Sequence, residues 1–150
     1  MTRKQRRLER IRAIEREFRI ATAAADGLGE RLRADPSVLD RKQLKSVDYQ
    51  SFRNNLEPTY LIRLFAEFEA GLRQAWELAF LRTTSPSMRD LVDSLAAQCS
   101  ISQDWCNRAH EVRKYCNALV HEGGDDARAV GMREACGDLC RFFSRLPHDW

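Results

Sequence analysis

The stretch PTYLIRLFAEFEAGLRQAWELA, residues 58–79, decides the fold. Leu61, Leu64, Phe65, Phe68, Leu72, Trp76 and Ala79 recur at helical spacing, while Arg63, Glu67, Arg73 and Glu77 fall on other sides. An apolar stripe of that period belongs to an amphipathic α-helix, and one this rich in large side chains is the central core helix. Pro58 suits a first turn, where its missing N–H costs nothing. The helix is therefore expected to start there and run about 24 residues, roughly 36 Å. Thr83 to Pro86 is expected to end it.

The same period continues on both sides of this stretch. Leu8, Ile11, Ile14, Phe18, Ala21 and Ala25 mark a long first helix, expected to stop near Gly27 and Gly29. Asp35-Pro36 forces a break, and Val38 to Tyr49 reads as a short helix among polar loop residues. Ser87-Met88-Arg89-Asp90 is a capping box that opens a helix to about Gln98. Ser100-Ile101-Ser102-Gln103 is a second such box, starting a helix with Trp105, Ala109, Val112, Cys116 and Leu119 inward. Glu122-Gly123-Gly124-Asp125-Asp126 breaks that helix. A last one, from about Val130 to Leu146, turns Met132, Cys136, Leu139, Cys140 and Phe143 inward. The sum is an all-α fold: one domain over residues 1–150, an antiparallel bundle of four long helices plus one or two short ones.

Composition agrees with that architecture. The chain of 150 residues has the length of one ordinary domain, is 43% hydrophobic and 31% charged, and has only seven Gly and four Pro. It contains no apolar run long enough for a membrane span, and it opens on Arg and Lys followed by Glu rather than on an apolar segment. A cytoplasmic location with no membrane contact is expected. Five cysteines, an odd number, are expected to be free thiols. The net charge is +3, but residues 1–50 carry 13 Lys/Arg against 8 Asp/Glu, +5, which leaves −2 for the rest. Arg3, Lys4, Arg6, Arg7, Arg10 and Arg12 lie close enough to attract a polyanion such as RNA, yet Glu9, Glu15 and Glu17 interleave as on a solvated helix face.

There is no glycine-rich phosphate loop, no Gly-x-Ser-x-Gly elbow and no His-Glu-x-x-His pair, so an ordinary nucleotide-dependent enzyme is not indicated. Cys99, Cys106 and His110 offer a metal reading, since residues 106 and 110 are one helical turn apart. Without a paired Cys-x-x-Cys, small buried helical cysteines are the expected outcome, with no metal and no cofactor. The segment from Glu111 to Gly123 differs, because it sets a polar stripe beside the apolar one. On an ideal helix Arg113, Asn117, His121 and His110 fall within about 80° of one another. His121 closes the helix before Gly123-Gly124, where exposed carbonyls favour a protonatable group and the backbone gives a ligand room. The competing reading is a polar helix end with a capping histidine.

Asn117-Ala118-Leu119-Val120-His121-Glu122-Gly123 resembles the end of a HEPN domain, whose signature is an Arg, usually followed directly by Asn, then four to six intervening residues and a His. Tyr60 to Glu69 and Phe143 to Trp150 also resemble a bacterial branch of that family, so that the likeness covers roughly residues 5 to 150. It implies an all-α RNA-binding or RNA-cutting domain that pairs as a homodimer, of a kind common in toxin, antiviral and stress systems with an antitoxin or another defence-system partner protein. Many members are metal-independent endoribonucleases. In such a site His121 moves the proton of a ribose 2′-hydroxyl or of the leaving oxygen, Asn117 orients either group, and an Arg forks onto the phosphate.

The signature position five before His121 holds Cys116, and a neutral thiol cannot stabilise phosphorane charge. Arg113 lies about 12 Å along the axis from His121, against about 7.5 Å for position 116. Lys114 falls within the signature spacing but offers a point charge rather than a fork. Three accounts of Cys116 stand side by side: a member that binds without cutting, replacement of the clamp by Arg113 or Lys114, or a substitution that silences a toxic nuclease. The candidate site is thus His121, Asn117, Cys116 and Arg113. The expected function is RNA targeting, by metal-independent cleavage or in an inactivated form of it. The alternative is a non-catalytic helical module that binds RNA, a nucleotide or a protein.

Overall fold

The computed structural model describes residues 1–121, 126–148 and 150. They form five α-helices: α1 Arg3–Ala34, α2 Ser46–Leu78, α3 Met88–Gln98, α4 Gln103–Val120 and α5 Met132–Ser144, with two single 3-10 turns, Pro36–Val38 and Asp40–Lys42, between α1 and α2. Among the described residues there is no strand. The stripe of residues 58–79 is the spine of the core: Leu61, Leu64, Phe68 and Leu72 are fully buried and meet Ile11 and Ile14 of α1, Leu91, Val92 and Leu95 of α3, Ala109 and Val112 of α4, and Leu139, Phe142 and Phe143 of α5. Phe68 anchors it with an edge-on contact to Phe142 at 5.8 Å between ring centres.

Polar ties fix the directions. Arg7 pairs with Glu67 at 2.7 Å, Arg63 with Glu17, and Arg53 with Asp26 at 2.7 Å, so rising numbers in α1 meet falling numbers in α2. Arg108 faces Asp138, and Arg128, just before α5, bridges Glu111 and Glu134, which runs α4 against α5. α1 and α2 are therefore antiparallel, as are α4 and α5, while α2 and α5 lie parallel across the bundle. There the Glu57 carboxylate accepts from the Met132 N–H at 2.7 Å and caps α5, whose own N-cap is side-chain-less Gly131. Farther along, Gly71 lets Phe143 approach so closely that an added Cβ would sit 2.5 Å from its ring. At the far end of α5, buried Lys4 donates from Nζ to the Ser144 and Leu146 carbonyls, both at 2.5 Å. Lys4 is thus a helix cap, not part of a solvated basic arm.

Four boundaries differ from the sequence reading. α1 runs through Gly27 and Gly29 to Ala34, because Gly29 is a crossing point: Tyr49 lies over it, leaving no room for a Cβ, and its hydroxyl donates to the Ala25 carbonyl at 2.9 Å. α2 begins at Ser46, twelve residues before Pro58, and carries Pro58 inside it. Its early turns are held from outside by Tyr49, the Arg53–Asp26 pair, buried Leu56 and the Glu57 cap, and these ties offset the backbone bond that proline removes. α2 also ends at Leu78, before Thr83 to Pro86. The Ser87 cap of α3 is as expected, its hydroxyl accepting from the Asp90 N–H at 3.1 Å. The cap of α4 is Ser102 rather than Ser100, which sits in the left-handed region of the turn at φ 51°. The expected break at residues 122–125 lies outside the described residues.

Candidate functional site

α4 is divided lengthwise by its own sequence. Cys106, Ala109, Val112 and Cys116 are buried against the core, and the opposite edge carries Arg113, Lys114, Asn117 and, as the residue that caps the helix, His121. The His121 N–H still bonds to the Asn117 carbonyl at 3.0 Å, but its backbone is extended, so the ring leaves the helical path at the end of the polar stripe. Arg113, Lys114, Asn117, Ala118 and His121 line an open cavity of about 380 Å³ whose other wall is Arg89 of α3 with Asp126 and Ala127. Among the described residues, three cationic side chains, an amide and an imidazole thus share one concavity with one carboxylate. In a cleft with low-dielectric walls that balance favours a ligand bearing several negative charges.

Cys116 lies elsewhere. It is 3% exposed, its thiol points to the Leu61 carbonyl of α2 at 3.6 Å, and it does not line the cavity. Burial pushes that thiol up to about 11, which leaves it protonated and inert at neutral pH. The structure therefore brings together three of the four residues singled out from the sequence, Arg113, Asn117 and His121, and sets the fourth in the seam between α2 and α4. Arg113 and Lys114 line the cavity that Cys116 does not reach.

His110, the remaining member of the polar stripe, is drawn toward α3. Its Nδ1 accepts from the Arg113 Nε at 3.2 Å, which places the ring proton on Nε2, and Nε2 donates to the Asp93 carboxylate at 2.7 Å. The hydrogen bond from His110 holds the Asp93 carboxyl below its ordinary value against the opposing effect of partial burial. The Cys106 thiol also points to Asp93, at 3.6 Å, and burial together with the Asp93 charge pushes it up to about 11. A second cavity, about 540 Å³, opens over Asp93 and His110 and shares Arg89, Arg113 and Lys114 with the first. Cys99 takes no part in this group.

Arg89 and Asp93 are the residues that sequence reasoning missed. The signal was present: α3 and α4 form a hairpin about the turn at Ser100, and residues equally far from such a turn face each other, which sets Asp93 opposite the stretch from Cys106 to His110. No known protein family, curated protein or solved structure matches the chain.

Proposed function

We propose that the chain is a HEPN-like RNA-targeting domain whose α4 cavity grips the phosphate backbone, with His121 as the proton-transfer group of a metal-independent cleavage. The single observation that carries this reading is the convergence of Arg89, Arg113 and Lys114 with Asn117 and His121 on one cavity. Two basic side chains from α4 and one from α3 replace the fork that the signature would put at Cys116. Electrostatic stabilisation of the phosphorane then comes from Arg113 and Lys114 together. Asn117 orients the 2′-hydroxyl or the phosphate, and His121 exchanges the proton.

In the same reading a second copy of the chain faces His121, as the HEPN likeness implies, and Val120, 57% exposed beside His121, gives that interface an apolar contact. The likeness also places the domain in a toxin or antiviral system with a protein partner. A second reading, binding without cutting, is favoured by one observation, the burial of Cys116 away from the cavity. Single-stranded RNA incubated with the protein in EDTA separates the two. Cleavage that His121→Ala abolishes supports the nuclease. Binding without cleavage, unchanged by His121→Ala, supports the module, and neither binding nor cleavage would contradict both.

A further inference from the structure

The geometry of Asp93, Cys106 and His110 points to a binding site for one divalent transition-metal ion of the zinc class, set between α3 and α4 and separate from His121. The three donor atoms lie within 4.8 Å of one another. The Asp93 Oδ1 to Cys106 Sγ distance is 3.6 Å and the Oδ1 to His110 Nε2 distance 2.7 Å. Around zinc, with bonds of about 2.0–2.3 Å, the edges of the ligand tetrahedron are about 3.3–3.6 Å. Of the three edges, the Asp93–Cys106 one already has that length, the Asp93–His110 one reaches it if the carboxylate swings outward by roughly half an ångström, and the Cys106–His110 one is no longer than 4.8 Å. Asp93 has the freedom to do so, with a side chain 52% exposed, whereas Cys106 is buried and His110 is 16% exposed, both fixed one turn apart on α4. The rigid pair supplies the template and the mobile carboxylate closes it.

The chemistry of the set selects the ion. One sulfur, one nitrogen and one oxygen donor suit zinc or cobalt and are a poor site for magnesium or calcium, which take oxygen. Thiolate and carboxylate together neutralise a dication. On binding, the S–H bond of Cys106 breaks, its proton leaves to solvent, and the sulfur's electron pair forms the metal bond; His110 binds as the neutral ring, and nothing is oxidised or reduced. Three protein ligands leave a fourth position, and the 540 Å³ cavity over Asp93 and His110, also lined by Gln103 and Asn107, gives a water or a small ligand access to it. The sequence alone hid the site because its third ligand comes from the neighbouring helix.

Loading has a consequence for Arg113. When Nε2 of His110 bonds to the metal, the ring proton moves to Nδ1, the atom that now accepts from the Arg113 Nε. Two N–H groups cannot share that contact, so Arg113 must release His110.

The test is a cobalt titration of the full chain after metal removal. One equivalent of Co2+ is expected to give a thiolate-to-cobalt charge-transfer band in the near ultraviolet and the visible bands of a tetrahedral ion, and zinc is expected to displace it. Cys106→Ser should abolish the near-ultraviolet band, and Asp93→Asn and His110→Gln should weaken binding at least about 10- to 100-fold. Cys140→Ser should leave it unchanged. The two substitutions at accessible positions decide the matter if Cys106→Ser fails to fold. A titration without a thiolate band, or equal cobalt affinity in wild type, Asp93→Asn and His110→Gln, would overturn the site; an Arg113 Nε resonance that does not move on zinc addition would overturn its coupling. RNA cleavage in EDTA is read with no metal at Asp93, Cys106 and His110, so the failure of either proposal leaves the other standing.

Discussion

The two sides of α4 are built from equally ordinary residues, yet they obey different constraints. On the inner side, Cys106, Ala109, Val112 and Cys116 answer to one demand, exclusion of water against α2, α3 and α5, and they follow the helical period. On the outer side, the polar residues are sorted by partners from another helix. His110 and Arg113 are linked into a chain that ends on Asp93, and Arg113 also joins Lys114, Asn117 and His121 in a cavity closed by Arg89. The inner side shows that periodicity fixes which residues are buried. The outer side shows that it does not fix which polar residues act together, since His110 and His121 share a stripe on an ideal helix and end in different surroundings.

The sharpest way to break this contrast is to move a charge from one side to the other. Cys116→Arg puts a guanidinium into the seam against Leu61, and the expected loss is at least about 3 kcal/mol of stability, read as a fall in melting temperature or a failure to fold. A variant that stays as stable as the wild type and cuts RNA faster would instead place position 116 on the cavity side.

That expectation also marks how far the sequence could be read. The stripe in α2 gave the all-α bundle because each of its large residues buries itself whatever its neighbours are. Pro58 and Gly29 misled because their local preferences were outweighed by contacts from distant parts of the chain: the Glu57 cap on α5 in one case, the Tyr49 crossing in the other. Lys4 misled for the same reason, a cation that reads as surface and serves as the cap of α5. In the site, Arg113, Asn117 and His121 were legible because they lie on one helix. Arg89 and Asp93 were not, because nothing on α4 records which residues α3 presents to it.

Two smaller effects sharpen the comparison. Lys4→Met keeps the aliphatic stem but leaves the Ser144 and Leu146 carbonyls without their donor, and should cost about 1–3 kcal/mol in chemical denaturation. No loss would show that the cap is incidental to the core. The thiols provide the mildest probe. The hydrogen bond from Cys136, aided by Arg12, holds the Cys140 thiol below its ordinary value, whereas burial raises Cys106 and Cys116 to about 11. A thiol reagent applied to the native protein near pH 8 should therefore label Cys140 before Cys106 and Cys116, as read by peptide mass spectrometry. Early labelling of Cys116 would contradict its place in the seam.

The central claim, that the outer side of α4 grips RNA phosphate, is tested most directly by the salt dependence of single-stranded RNA affinity. Removing one phosphate-binding cation should lower the slope of log affinity against log salt by about 0.7. Arg113→Ala and Lys114→Ala should each weaken binding and flatten that slope by about this amount, and Arg3→Ala and Arg6→Ala in α1 should leave it unchanged. A slope that responds to the α1 arginines and ignores Arg113 and Lys114 would move the RNA site off α4 and contradict the account.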